Sequence, residues 1–356
     1  MCNEKLISEL IERFDLNLEG LNIYTEAASG HYAYTPILAA VAGARRVTAQ
    51  VNDSKYGLAS DIAAATVKLA EIYQVDGAIN CVTNRNHKQL SRADIITNSG
   101  HVRPIDFELI DALKPTAVIP LMWETWEYRE EDFDLKHCKE KAILVLGTKE
   151  QDGPSDMRRF IGLTGLKLLL NLSFDGGKVL VMGNSSIPGE TVVNYFRKSE
   201  IDVTWISDDS GGDYNYLEAS AHFEEHGTEY SHIILAEHSN NSLLLGKGGV
   251  ISFDYLKAVN PNLRIGVMCG NIDRGELVES GLEFLPESIL PFGYISYQPF
   301  MLGPRPILTL YAAGLKVGMQ MAKARLRGLS TRQSAMETLK TSPGMDFENN
   351  FSWIKS

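Results

Sequence analysis

Three stretches of the 356-residue chain gather residue types that can do chemistry. In TNSGHVRP (97–104), His101 stands two residues before Arg103. Histidine titrates near neutrality and can take a proton from a reacting hydroxyl. Arginine presents a planar fork that matches a carboxylate. In TEAASGHYAYTP (25–36), Glu26 can orient that histidine or bind a ribose, and His31 is a further candidate. In CGNIDRGEL (269–277), Asp273 can contact a substrate or cap a helix. The catalytic candidates are therefore His101, Arg103, Glu26 and Asp273. Each has a plainer reading, as a cap or a solvated loop charge.

Residues 178–209, KVLVMGNSSIPGETVVNYFRKSEIDVTWISDD, are of another kind. An apolar run, Lys178–Met182, meets a turn, Gly183–Gly189. A helix-compatible segment and a second apolar run follow, ending at Asp208 and Asp209. Strand, turn, helix, strand is the order that binds nucleotides: N–H groups of the turn cradle a pyrophosphate and a carboxylate takes a ribose hydroxyl. The expected cofactor contacts are Gly183, Asn184, Ser185, Ser186, Ile187, Gly189, Asp208 and Asp209, with Glu237 and Asn271 after later strands. The acidic pair favours NAD over NADP, because a 2′-phosphate would be repelled there.

The elements that must position these residues alternate along the chain. Residues 20–150 read as strand and helix in turn, which predicts a parallel sheet covered on both faces. Residues 155–172 read as one crossover helix, and the same grammar then repeats. The prediction is α/β, with two doubly wound, Rossmann-like domains and an interdomain cleft. The expected boundaries are 1–150 for a catalytic domain, 151–305 for a nucleotide-binding domain and 306–356 for a helix crossing back plus a tail. The helix, Pro306–Arg327, carries the small residues Ala313, Gly314 and Gly318, and 328–356 reads as a weakly packed tail. The charged segment 124–140 reads as solvated surface. Arg305, between two prolines, could reach an anion.

Composition narrows the partners. Lysine and arginine number 34 against 45 aspartates and glutamates, a net charge of −11. That balance argues against nucleic acid, whose phosphates call for a basic surface. No run approaches the length of a membrane span. MCNEKLISEL has no long apolar core, so no signal peptide is expected and a cytoplasmic location follows. Cys2, Cys81, Cys138 and Cys269 are dispersed, as reduced thiols are. No histidine or carboxylate spacing predicts a metal.

The turn VMGNSSIPGE resembles the V-x-G-R-S-x-x-V-G-x-P signature of methylenetetrahydrofolate dehydrogenase/cyclohydrolases. Val181, Gly183, Ser185, Ile187 and Gly189 fall in step. Asn184 replaces the arginine associated with phosphate recognition, and Pro188 replaces the valine. The family's Y-x-x-x-K catalytic pair is absent, so folate chemistry is not implied. CGNIDRGEL is similar to the G-H-F-D-x-E-I segment of S-adenosylhomocysteine hydrolases, with Asn271 where histidine is expected. The plan as a whole resembles two-domain NAD(P)-binding dehydrogenases, alanine dehydrogenase among them. The resemblance implies an NAD(P)-dependent oxidoreductase for a small polar substrate, which the Arg103 fork suggests could carry a carboxylate, and, with the small residues of the terminal helix, a homodimer. Two alternatives stand beside it. One is a non-redox hydrolase, lyase or transferase that keeps a bound nucleotide such as NAD or adenosylmethionine. The other is a non-catalytic nucleotide-binding protein.

Overall fold

Near-continuous apolar runs make strands that bury both faces, and such strands pair in parallel. The computed structural model describes residues 2–151 and 153–355, without the side chains of Cys2, Ser185 and Ser186. Its strands, in chain order, are β1 (Asn22–Glu26), β2 (Arg46–Gln50), β3 (Ile79–Val82), β4 (Ile95–Ile96), β5 (Val118–Pro120), β6 (Leu144–Thr148) and β7 (Lys178–Met182). There follow β8 (Val203–Ile206), β9 (Tyr230–Ala236), β10 (Leu243–Leu245), β11 (Arg264–Cys269), β12 (Asn271–Ile272), β13 (Glu283–Leu285) and β14 (Gly344–Met345).

The chain divides into two units: Met1–Met157 with Gly303–Ser356, and Arg158–Leu302. Unit 1 holds a seven-stranded sheet in the order β14-β6-β5-β4-β1-β2-β3, parallel except for β14. Unit 2 holds a parallel five-stranded sheet, β13-β11-β9-β7-β8, and the short pair β10-β12. Both sheets are α/β and doubly wound, as the alternation of elements predicts. Each has one place where strand order reverses: between β1 and β4 in unit 1, and between β7 and β9 in unit 2.

The helix Pro304–Leu326 is part of unit 1 and packs on β5 and β6. Its glycines are there for proximity. A Cβ at Gly314 would lie 2.2 Å from Met122 Sδ, and one at Gly318 would lie 2.8 Å from the Pro120 ring. These small residues thus face the unit's own sheet, so they are not a surface for a second copy. Arg305 makes a bidentate pair with Glu9, at 2.6 and 2.9 Å, rather than presenting its fork to a ligand.

Two sequence expectations are corrected. Residues 328–356 are not a weakly packed tail. They form a capped helix, Thr331–Thr341, then β14 against β6, and they bury Phe347 and Trp353 in the main core of unit 1. The apolar residues Phe347, Phe351, Trp353 and Ile354 are too widely spaced for a periodic signal, which hid the packing. The segment 124–140 is not merely solvated surface. Glu124, Phe133, Leu135 and Cys138 are buried, and the last three belong to the core. Among the described residues, no helix is long and apolar enough to cross a membrane.

Candidate functional site

Ligands of doubly wound sheets lie beyond the carboxyl ends of the strands, where strand order reverses. In unit 1 that place is flanked by Glu26, the last residue of β1, and by the loop from Thr97 after β4. The fold brings the two together. The His101 N–H donates to Glu26 Oε2 at 2.8 Å, and His101 Nδ1 lies 3.2 Å from the Ala27 carbonyl. The His101 carbonyl accepts from Gln50 Nε2 at 2.6 Å and from Asn52 Nδ2 at 3.2 Å. Beneath them, Thr97 and Tyr311 both donate to Thr25 Oγ1 at 2.8 Å. The histidine backbone is therefore held from β1, from the end of β2 and from the loop beyond it.

The ring geometry fixes a tautomer. A carbonyl only accepts, so Nδ1 carries a proton, and in the neutral ring Nε2 is the hydrogen-bond acceptor. That is the form of a general base. Glu26 is 5% exposed, and burial pushes its carboxyl above the ordinary carboxylate range. The His101 N–H, the His101 ring and Arg103 act in the opposite sense without cancelling it. Tyr32, which no motif singles out, belongs to the same corner. Burial and then the Glu26 charge push its phenol up to about 12. Its position inside the loop 25–36, beside a histidine, is the only signal for it in the sequence.

Arg103 reaches this corner already engaged. Its Nη1 donates to Asp132 at 2.8 Å, and its guanidinium lies over the Trp123 ring at 5.1 Å. Arg103 Nε, Trp123 Nε1 and Asn98 Nδ2 are buried donors with no acceptor among the described residues. Asn98 is tied to the same region, because its Oδ1 accepts the Met122 N–H at 2.8 Å. Orphaned buried donors are costly, and a polar ligand with acceptor oxygens would satisfy them.

In unit 2 the reversal lies at the turn Gly183–Gly189, after β7. Two glycines there are required by close approach. A Cβ at Gly183 would lie 2.1 Å from the Ala236 carbonyl oxygen, and one at Gly189 would lie 2.6 Å from Gly183 O. Ile187 is extended and precedes a cis Pro188. The Asn184 side chain stays within the unit, its Oδ1 accepting from Ser207 Oγ at 3.0 Å and from Asp208 N at 2.9 Å. Ser185 and Ser186, both cofactor candidates, have side chains outside the described residues.

Glu237, after β9, is fully buried. Its Oε2 accepts from Asn184 N at 2.8 Å and from Tyr216 OH at 2.7 Å. Its Oε1 accepts from Ser239 N, Ser239 Oγ and Asn240 N at 2.7, 2.8 and 2.9 Å. Burial works to raise this carboxyl, yet Tyr216 and the N–H donors hold it below its ordinary value, so it stays charged. Asp208 is exposed, with Oδ1 accepting from Tyr216 N at 3.0 Å. Asp209 follows it, with its N–H on Ser207 Oγ at 3.1 Å. The turn therefore fits a pyrophosphate in its place and in its glycines, and Asp208 fits a ribose. The Asn184 N–H is already occupied.

The remaining candidates lie elsewhere in unit 2. Asp273 caps the helix Arg274–Ser280, its Oδ1 accepting from Glu276 N at 3.0 Å. Asn271 donates to the Asn241 carbonyl at 2.8 Å and lines a cavity of about 310 Å³ with Arg274 and Phe292. Cys138 and Cys269 are buried, which pushes both thiols up and makes them poor nucleophiles. Among the described residues no group of three or more His, Cys, Asp or Glu could hold a metal ion.

No protein-family model matches this chain, and no curated protein matches it. Solved structures do. A dipicolinate synthase subunit from Bacillus halodurans is 11% identical, with a TM-score of 0.50 over 87% of this chain and 98% of that one. TT0316 protein from Thermus thermophilus is 14% identical, with a TM-score of 0.46 over 87% and 98%. A 2-hydroxyacid dehydrogenase from Ketogulonicigenium vulgare is 12% identical, with a TM-score of 0.46 over 87% and 96%. At such identity the first of these likenesses establishes a shared fold. That fold is the two-domain α/β, Rossmann-like one that the sequence predicts.

Proposed function

We propose that the chain is an oxidoreductase that uses a nicotinamide nucleotide, NAD before NADP, on a small polar substrate. The observation that carries this reading is the Glu26–His101 pair at the strand-order reversal of unit 1. It gives a histidine whose Nε2 can take a hydroxyl proton, beside a carboxyl that burial keeps ready to be protonated. His101 would remove the proton from the substrate hydroxyl, and Glu26 would hold the His101 backbone in place. Arg103, fixed by Asp132 and stacked on Trp123, would orient the polar end of the substrate, together with Asn98. The nucleotide, when bound, supplies the hydride acceptor. Its phosphates would lie on the turn Gly183–Gly189 and its ribose on Asp208.

One observation favours a second reading. Glu237 occupies the first N–H of the turn, which suits a non-redox enzyme with its chemistry confined to unit 1. Calorimetric titration with NAD, followed by an absorbance assay over a panel of polar alcohols, separates the two. Binding with a substrate-dependent rise in reduced nicotinamide supports the first reading. Binding with none across the panel supports the second.

A further inference from the structure

Glu26 and Gln50 are the last residues of β1 and β2, and they stand opposite each other in the parallel pairing of those strands. Both side chains reach the same loop residue. Glu26 Oε2 accepts the His101 N–H at 2.8 Å, and Gln50 Nε2 donates to the His101 carbonyl at 2.6 Å. Two adjacent strand ends thus grip both backbone groups of one residue. Gln50 is fixed in turn. Tyr24, on the same face of β1 as Glu26, donates its hydroxyl to Gln50 Oε1 at 2.8 Å. Tyr24 and Gln50 are both buried, so water does not compete for this bond. Burial also pushes the Tyr24 phenol up, which keeps it a donor.

The Gln50 amide has one orientation. Reversed, its oxygen would face the His101 carbonyl, and two acceptors make no hydrogen bond. With Nε2 on that carbonyl, Oε1 takes the Tyr24 hydroxyl and both ends of the amide are satisfied. The His101 ring depends on this grip, because its own contact is long. Nδ1 lies 3.2 Å from the Ala27 carbonyl, at the outer edge of hydrogen-bond distance. A small shift of the His101 backbone breaks that contact, and with it what selects the tautomer.

We propose that Gln50 is a positioning residue for His101: with Glu26 opposite it and Tyr24 orienting its amide, it holds the His101 backbone where Nδ1 meets the Ala27 carbonyl, and so keeps Nε2 the accepting nitrogen. This rests on the reading of His101 as the proton acceptor. Gln50 acts through the His101 peptide and not on a reacting atom. Without it, the His101 carbonyl keeps the longer bond from Asn52 Nδ2, at 3.2 Å.

The test is nitrogen-15 NMR of the histidine rings in the full chain, at a pH where His101 is neutral, with His101→Phe assigning its signals. Wild type should carry the ring proton on Nδ1. Gln50→Met, which keeps the length of the side chain and removes both polar atoms, should move about half of the population or more to the Nε2–H form. It should also lower kcat about tenfold, with KM for the nucleotide unchanged. Tyr24→Phe, which frees the amide to turn, should give a smaller shift in the same direction. Folded Gln50→Met with the wild-type tautomer overturns the proposal, whatever its melting temperature, and so does wild type with the proton on Nε2. If Gln50→Met does not fold, an unchanged tautomer in Tyr24→Phe overturns it. The predicted shift in Gln50→Met, with a wild type that reduces no nicotinamide nucleotide over the panel of polar alcohols, upholds the positioning and overturns the proton-acceptor reading on which it rests.

Discussion

The His101 N–H donates to Glu26 Oε2 at 2.8 Å, so a residue at the end of one strand sets the position of a residue in the loop after another. Burial raises the Glu26 carboxyl, which has a testable sign. A raised folded-state value means the charged form is disfavoured in the native state. The stability is fully present below the ordinary value of 4.5 and is lost as pH rises through the folded value. Glu26→Gln keeps an oxygen for the His101 N–H and removes the charge. It should melt higher than wild type at pH 7 and equally at pH 4, with about 1.4 kcal/mol at stake for each tenfold change in proton affinity. A gap that does not widen with pH would contradict the assignment.

Glu127 behaves in the same sense in a different place. Burial first, and then the Glu124 charge, push it up to about 7, against the Glu124 N–H and Arg129. Its stability contribution is lost between about pH 4.5 and 7. Thermal melts of Glu127→Gln should show a gain of roughly 3 kcal/mol at pH 8 and none at pH 4.

Gly183 has no room for a methyl group, because the Ala236 carbonyl oxygen would lie 2.1 Å from it. That carbonyl is backbone in a central strand and cannot swing away. Gly183→Ala should cost about 3 kcal/mol or more in chemical denaturation. An ordinary midpoint would mean that β7 and β9 separate more readily than their pairing implies.

The fold was legible because the strand–helix alternation is strong and the turn Gly183–Gly189 interrupts an apolar run. The places of Glu26 and His101 were legible in the sense that Glu26 ends β1 and His101 lies in the loop after β4, where topology puts ligands. Tyr216 and Tyr32 were not, since their roles come from contacts with Glu237 and Glu26 across the fold and not from spacing. The expectation for Asp273 dissolved for a local reason: a short polar side chain ahead of a helix satisfies its first turn, and the N-cap geometry is what the fold shows. Glu237 was legible as a group after a strand but not as an occupant of the turn. The N–H it binds belongs to Asn184, 53 residues away in the sequence.

The C-terminal segment supplies a stability test. Trp353 is 3% exposed, its backbone N–H donates to Asp346 Oδ1 at 3.0 Å, and Lys139 lies 3.9 Å over its ring. Trp353→Ala should lower stability by about 3 kcal/mol. Urea denaturation reads this directly, and a change within experimental error would return 344–356 to the status of a tail.

The central claim is that unit 2 takes a nicotinamide nucleotide at the turn Gly183–Gly189 while unit 1 supplies the proton acceptor. The most direct measurement is fluorescence titration of reduced nicotinamide nucleotide into wild type, Gly189→Val and His101→Phe. Wild type is expected to bind saturably and Gly189→Val to lose that binding. His101→Phe is expected to retain it, with turnover reduced about a hundredfold or more. Wild type that binds no nicotinamide nucleotide, or Gly189→Val that binds it as wild type does, would contradict the claim.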